Sequence, residues 1–225
     1  MSVNLEVRQV VSAAFGQNCL LARVAGARDG VVVDPGFDAE LVTETAAEMG
    51  MQPKAILVTH GHGDHIAGVA AIKARWPQAE LVVGREEADK LTDPAQNLSL
   101  VFGFELTCPA ADRLVDDDDR IEYAGLKLWV RHAPGHSTGH VVYVTEDTRP
   151  LHVFAGDVLF AGGVGRVDLP GGNGPQLVQS IQDKLFTLPD DTVVWPGHGP
   201  TTRIGIEKEE NPFVGENGIG AALLE

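Results

Sequence analysis

The sequence predicts an α/β fold in which two β-sheets are covered by helices. Short apolar runs rich in valine, leucine and isoleucine alternate with longer amphipathic segments along the chain. The short runs have the length and composition of strands, whereas the longer segments repeat apolar residues at helical spacing. No linker, internal repeat or long low-complexity tract divides the sequence, so we expect residues 1–225 to form one domain with a large core.

The predicted elements follow from these patterns in chain order. The strand candidates are Leu5–Val10, Cys19–Val24, Gly30–Val33, Ala55–Thr59, Glu80–Val83, Leu126–Arg131, Val141–Thr145, Leu151–Ala155 and Thr192–Trp195. The helix candidates are Ala39–Met49, Ile66–Arg75 and Pro175–Leu185. The last candidate begins with a proline, which is favoured in a first helical turn, and repeats apolar Leu177, Ile181 and Leu185 along one face.

Composition excludes several classes of protein. The chain has 17 Lys and Arg against 32 Asp and Glu, a net charge of −15, which disfavours nucleic acid as a partner. No apolar stretch approaches the length of a membrane span, and Met1–Glu6 lacks the basic and apolar regions of an export signal. Cys19 and Cys108 form no Cys-x-x-Cys pair, so we expect buried thiols in a cytoplasmic protein.

One short segment carries four potential metal ligands. His60, His62, Asp64 and His65 directly follow the apolar strand candidate that ends at Thr59. Imidazole and carboxylate groups suit zinc, iron or manganese, and alternate positions of an extended segment point the same way. His60 and His62 can therefore bind one ion. Asp64 and His65 lie past the bend, where they can turn toward a second ion.

Further donors must come from distant parts of the chain, because a catalytic zinc ion takes three or four protein ligands and keeps a position for water. His136, Asp157 and His198 each follow an apolar strand candidate and lie beside glycine or proline. Loops at the ends of strands are where active sites collect, and their glycine and proline residues hold unusual backbone angles. The sequence thus indicates a metal site built from several loops.

The order His-x-His-x-Asp-His, Pro-Gly-His, Gly-Asp and Pro-Gly-His resembles the metallo-β-lactamase superfamily, and within it the short glyoxalase II type of hydroxyacylglutathione hydrolase that lacks a helical C-terminal domain. The likeness extends from Gln17-Asn18-Cys19 to Asn211-Pro212-Phe213. It implies a four-layer αββα sandwich. It also implies that one ion is held by His60, His62 and His136, the other by Asp64, His65 and His198, and that Asp157 bridges them.

The same resemblance implies a thioesterase with two divalent ions, expected to be Zn²⁺ with Fe and Mn as alternatives. A hydroxide between the ions would attack a hydroxyacyl thioester such as S-D-lactoylglutathione, with Asp64 and Asp157 as catalytic residues. The principal alternative is a mononuclear iron persulfide dioxygenase, whose members share the His-x-His-x-Asp-His run. A scaffold with a vestigial site is disfavoured because all the expected donors are present. The oligomeric state stays open.

Other polar residues have weaker signals. Arg166, in the glycine-rich segment 161–174, is expected either to bind a substrate carboxylate or to form an ion pair with Asp168. His140 is expected to support a ligand, and Asp34 either supports a ligand or caps the following turn. His132 and His152 are interpreted as structural, and Lys208, among several glutamates, as a weak candidate for anion binding.

Overall fold

The computed structural model describes residues 2–216 and residue 218. The prediction of one domain over residues 1–225 also includes residues that lie outside the described ones, namely Met1, Asn217 and residues 219–225. The fold is a four-layer sandwich of helices, sheet, sheet and helices, as the sequence motifs predicted. Within the described part of the chain, no helix has the length and apolar character needed to cross a bilayer.

The first sheet has six strands in sequential order, antiparallel across the first three and parallel across the rest. The strands are β1 (Leu5–Val11), β2 (Asn18–Val24), β3 (Asp29–Val33), β4 (Gln52–Val58), β5 (Glu80–Gly84) and β6 (Arg113–Val115). Helices α1 (Ala39–Glu48), α2 (Gly63–Ile66) and α3 (Val69–Arg75) cover its outer face, and two 3₁₀ helices follow at Arg85–Leu91 and Ser99–Phe102.

The second half of the chain builds the other sheet and its covering helices. Its strands are β7 (Arg120–Tyr123), β8 (Leu126–His132), β9 (Val141–Thr145), β10 (His152–Gly156), the small hairpin β11 (Leu159–Phe160) and β12 (Gly163–Val164), β13 (Val193–Pro196) and β14 (Thr202–Arg203). The sheet order is β14-β13-β10-β9-β8-β7, and only the β10 and β13 pair is parallel. Its outer face carries α4 (Gly174–Ser180), which continues as a π-helical turn over Ile181–Leu185, and α5 (Ile204–Glu210).

Three apolar clusters fill the three interfaces between these layers. The alternation of β-strand side chains assigns each residue to one face: Val32 and Ile56 meet the first helical layer, whereas Val31 and Leu57 face the other sheet. A central cluster joins both sheets through side chains such as Phe154, which is fully buried. Burial on both faces explains why several strands are continuous apolar runs.

Two predicted helices differ from the observed ones for identifiable reasons. The segment Ile66–Arg75 is interrupted at Gly68, whose N–H donates to the carbonyl of Pro35 at 2.8 Å. A side chain at Gly68 would overlap the Gly36 carbonyl, so this close approach of two backbones stops a continuous helix. At α4, the Asn173 side chain accepts the N–H of Gln176 at 3.0 Å and caps the helix, which begins at Gly174, one residue before the predicted start at Pro175.

Candidate metal centre

Parallel strand pairs bring the loops that carry the candidate donors to one edge of the sandwich. In the first sheet, β3 and β4 end side by side, so that Asp34 and Thr59 follow neighbouring strand ends. In the second sheet, β10 and β13 pair in parallel up to Gly156 and Pro196, and Asp157 and His198 lie just beyond. The carboxyl ends of parallel strands share an edge, which is where ligand sites form in α/β sheets.

His60, His62 and His136 form the first cluster of donors, and all are buried. The Nε2 atom of His136 lies 3.2 Å from Nε2 of His60 and 3.0 Å from Nδ1 of His62. Two nitrogens that bind one tetrahedral zinc ion at ordinary bond lengths lie about 3.3 Å apart. The separation and convergence of these nitrogens therefore fit a single divalent ion.

Asp64, His65 and His198 form the second cluster. The Asp64 Oδ2 atom lies 3.2 Å from His198 Nε2 and 3.8 Å from His65 Nε2. His65 is completely buried, and its Nε2 atom has no hydrogen-bond partner. A buried nitrogen without a partner costs free energy unless something else binds it, and this mixed set of oxygen and nitrogen donors suits a divalent metal.

Asp157 lies between the two clusters. Its Oδ1 atom is 3.3 Å from His65 Nε2, and its Oδ2 atom is 3.5 Å from His136 Nε2 and 3.6 Å from His198 Nε2. Oδ1 is buried without a hydrogen-bond partner. One carboxylate thus faces donors of both clusters, the arrangement that a ligand shared by two ions requires. The structure brings together all seven donors that the sequence analysis named.

Asp34 holds two of the imidazoles in position, which decides between its two sequence interpretations in favour of support for a ligand. Its carboxylate accepts the Thr59 N–H at 2.7 Å, the Thr59 hydroxyl at 2.6 Å and Nδ1–H of His65 at 3.0 Å. Because the Thr59 hydroxyl donates to Asp34, its oxygen accepts Nδ1–H of His60, at 3.2 Å. Both rings therefore direct Nε2 toward the clusters.

His136 and His140 are fixed by backbone groups. Nδ1–H of His136 donates to the Arg166 carbonyl at 2.8 Å, which orients its Nε2 toward His60 and His62. His140 stacks on His60 with ring centroids 4.7 Å apart, and its Nε2 accepts the Asp157 N–H at 3.1 Å. His140 therefore supports the donors rather than joining them.

A buried ion pair that the sequence analysis did not identify connects two of the ligand loops. Glu87 is fully buried, and its Oε2 atom accepts the N–H of Gly61, between His60 and His62, at 2.7 Å. Its Oε1 atom accepts the Ser137 hydroxyl at 2.6 Å, the Gly139 N–H at 2.8 Å and the ammonium of Lys90 at 2.8 Å. Lys90 also donates to Ser137. Glu87 thereby joins the loop that carries His60 and His62 to the loop that carries His136.

The electrostatic environment of the donors favours a cation. Burial lowers the pKa of His60 and of His62 well below the ordinary value, which keeps both imidazoles neutral. Burial also acts to lower the pKa of His65, but the carboxylates of Asp157 and Asp64 outweigh it and raise that pKa well above its usual value. Burial would raise the pKa of Asp157, yet His65, His136 and His198 hold it well below its usual range. The carboxylates of Asp64 and Asp157 thus stabilise positive charge at this buried position.

Two glycines allow this close packing. Gly156, directly before Asp157, has φ of 49°, a left-handed conformation that glycine adopts without strain. Gly197, directly before His198, has no room for a side chain, because a Cβ atom would overlap Asp157 Oδ1 and lie 2.6 Å from His65 Cε1. These positions explain why glycine precedes a donor in both motifs.

A cavity of about 340 Å³ opens over the donors. Its lining combines His62, Asp64, His136, Asp157 and His198 with Arg166 and an apolar group of Phe15, Leu98, Phe102, Phe104, Phe160, Val164 and Leu169. The Arg166 side chain pairs with Asp168 through two contacts of 2.7 Å, so the predicted ion pair is present and Arg166 also borders the cavity.

The remaining candidates lie elsewhere. Lys208 pairs with Asp190 at 2.6 Å and borders a different cavity. His152 accepts the indole N–H of Trp195 at 3.0 Å, and His132 contacts the Thr138 carbonyl at 3.0 Å, so neither joins the clusters. Cys19 and Cys108 are buried free thiols, as predicted.

Comparison with known proteins gives consistent similarities. The sequence model of the metallo-beta-lactamase superfamily matches residues 13–198. The probable metallo-hydrolase YqgX of Bacillus subtilis is 38% identical over 185 residues, which cover 82% of this chain and 86% of that protein. The hydroxyacylglutathione hydrolase GloC of Haemophilus influenzae is 34% identical over 218 residues, which cover 94% of this chain and 98% of that protein.

Solved structures with the same architecture include three informative ones. The B3 metallo-beta-lactamase BLEG-1 has a TM-score of 0.88 and 34% identity, covering 93% of this chain and 99% of that chain. TTHA1623 in a di-iron-bound form has a TM-score of 0.80 and 32% identity, and the match covers 91% of this chain and 98% of that chain. ETHE1 from Myxococcus xanthus has a TM-score of 0.73 and 29% identity, and the match covers 93% of this chain and 84% of that chain.

Proposed function

Since this chain belongs to the metallo-β-lactamase superfamily, we propose that it is a dinuclear metal-dependent hydrolase that cleaves hydroxyacyl thioesters. The observation that carries the proposal is the position of Asp157, whose carboxylate faces donors of both clusters. The similarity to GloC, a hydroxyacylglutathione hydrolase, supports the thioester as substrate. We propose zinc at both positions, with iron as the alternative that the di-iron form of TTHA1623 supports.

His60, His62 and His136 are the proposed ligands of one ion and Asp64, His65 and His198 of the other, with Asp157 shared. Such ions supply a water of lowered pKa as nucleophile and polarise a carbonyl oxygen. Asp64 can accept a hydrogen bond from the attacking water and so orient it, because Asp64 borders the cavity. Together with Asp157, it is the proposed catalytic residue.

Arg166 is the proposed substrate-binding residue. Its Nε and Nη2 atoms contact Asp168, which uses two of the five N–H groups of a guanidinium. The other three can donate to a hydroxyl or carboxylate oxygen of the substrate. The apolar part of the lining offers contacts to apolar groups of the substrate. The leaving thiol has an ordinary pKa of about 8.5, so its departure needs no strong general acid.

Metal analysis and hydrolysis assays test the proposal together. Protein purified without added metal should contain two ions per chain and hydrolyse lactoyl thioesters. Asp157→Asn should lower both metal content and turnover, whereas Asp191→Asn, at an exposed position outside the cavity lining, serves as the matched control. Absence of turnover by the metal-loaded protein on every thioester would refute the proposal.

Two other activities have a specific observation in their favour. The similarity to ETHE1 lends modest support to the persulfide dioxygenase, which one iron ion per chain and oxygen consumption with a persulfide would establish. The similarity to BLEG-1 makes β-lactam hydrolysis a further candidate, so a β-lactam belongs in the same assay panel.

A further inference from the structure

An aromatic cluster forms much of the entrance to the cavity. Phe15, on the turn after β1, stacks on Phe37 with ring centroids 5.3 Å apart and meets Phe102 edge to face at 5.8 Å. Phe37 in turn meets Phe104 at 5.6 Å. Phe15 and Phe102 are 38% and 51% exposed, and both line the cavity together with Phe104. Large aromatic side chains left open to solvent beside a cavity are typical of a binding surface for apolar groups.

Charged groups suited to an anionic ligand are scarce around this aromatic cluster. Apart from histidines, Arg166 is the one cationic side chain among the described residues that line the cavity. Asp168 neutralises it through a bidentate ion pair, and the guanidinium lowers the pKa of that carboxyl to about 2, so the pair remains ionised on both sides at neutral pH. A carboxylate that contacts the aromatic cluster, out of reach of Arg166, has no charged partner there and loses hydration that nothing replaces.

Resting on the proposed thioesterase activity, we infer that the cavity selects thioesters whose thiol portion is uncharged and apolar, in preference to glutathione. A lactoyl group has three carbons and a hydroxyl, so it fills only a small part of a cavity of about 340 Å³. The thiol portion must therefore contact the aromatic cluster. Glutathione would bring two carboxylates and an ammonium to that surface, whereas an aryl or alkyl thiol would bury apolar area against it.

Three lactoyl thioesters that differ only in the thiol portion test the effect of its charge separately from the effect of its apolarity. The thiols are benzyl mercaptan, which is uncharged and aromatic, N-acetylcysteamine, which is uncharged and polar, and glutathione. All are alkyl thiols, so the reacting bond is of the same kind. We expect kcat/KM to be about tenfold or more higher for the benzyl thioester than for the glutathione thioester. The N-acetylcysteamine thioester should lie between them.

Variants test which residues set this preference. Phe102→Ala should lower kcat/KM for the benzyl thioester about tenfold and affect the N-acetylcysteamine thioester much less. Val101→Ala is the matched control, because Val101 is 64% exposed on the same segment but does not line the cavity. Asp168→Asn removes the charge that neutralises Arg166, so it should raise the ratio of glutathione to benzyl turnover several-fold.

The outcomes distinguish this inference from the proposed function. Equal or faster turnover of the glutathione thioester by the wild-type enzyme would overturn the preference and leave the thioesterase intact. Equal effects of Phe102→Ala on all three substrates, or an effect matched by Val101→Ala, would overturn the role of the aromatic cluster. Turnover of none of the three thioesters by metal-loaded protein would overturn the proposed function itself.

Discussion

Replacing Glu87 with glutamine should destabilise the protein and weaken metal binding, although Glu87 is not a metal ligand. The carboxylate is fully buried and accepts from Gly61, Ser137 and Gly139 as well as from Lys90. Glutamine retains one acceptor oxygen and places an NH₂ group where the other oxygen was. If the oxygen serves the donors on the Oε1 side, the NH₂ group faces the N–H of Gly61.

Most of the expected loss of stability in Glu87→Gln comes from Lys90, whose side chain is only 11% exposed and would lose its carboxylate partner. Breaking a buried ion pair from one side costs about 3–5 kcal/mol, because a desolvated charge remains without compensation. For a chain of this length, that free energy corresponds to a Tm lowered by about 10 °C. Movement of Gly61 would also displace His60 and His62, so zinc affinity should fall by about tenfold or more.

Urea unfolding and competition for zinc with a chromophoric chelator measure the two effects. Glu86→Gln is the matched control, since Glu86 is the neighbouring, exposed glutamate. The double variant Glu87→Gln with Lys90→Met removes both charges and should recover part of the lost stability. If Glu87→Gln unfolded at the same urea concentration as Glu86→Gln and bound zinc equally well, the inferred coupling between the two loops would be wrong.

Three further predictions address other parts of the site. Asp34→Ala leaves buried donors of Thr59 and His65 unsatisfied, so the free energy of unfolding should fall by about 3 kcal/mol and zinc affinity should fall by about 10–100-fold. The same urea and chelator measurements test both effects, and unchanged zinc affinity would contradict the orienting role of Asp34. Gly197→Ala should abolish stoichiometric metal binding in elemental analysis, because its Cβ would overlap Asp157, and full occupancy would contradict that packing. Burial raises the pKa of Cys108 to about 11, so a disulfide reagent at pH 8 should label it only after unfolding; rapid labelling of the folded protein would refute its burial.

The metal donors were accessible to sequence reasoning because their signals are local. Each donor motif contains glycine or proline and follows an apolar run, and such runs end at the rim of a sheet. Periodicity predicted two sheets covered by helices, since strands buried on both faces and amphipathic helices have different periodicities, whereas the four-layer order came from the family resemblance. His140 was within reach as a supporting residue because it lies in the same segment as His136, and Asp34 because it follows an apolar strand and precedes Pro35-Gly36.

The Glu87 and Lys90 pair had no such signal. In the sequence, Arg85-Glu86-Glu87 and Lys90 are typical of a solvated helical turn, and only the tertiary structure buries one glutamate beneath two distant loops. The aromatic cluster is equally nonlocal, because Phe15, Phe37 and Phe104 belong to separate loops. Short strands such as β6 and β14 were missed because two or three residues carry no measurable periodicity.

Both donor clusters draw on both sheets. His60 and His62 follow β4 of the first sheet while His136 follows β8 of the second, and Asp64 and His65 are likewise completed by His198 after β13. An ion held in either cluster therefore tethers one half of the sandwich to the other. Its binding free energy adds to the resistance of the fold to unfolding, by about 2.7 kcal/mol when free metal exceeds the Kd a hundredfold. Metal supply would then govern how long the protein survives proteases as well as how fast it turns over substrate.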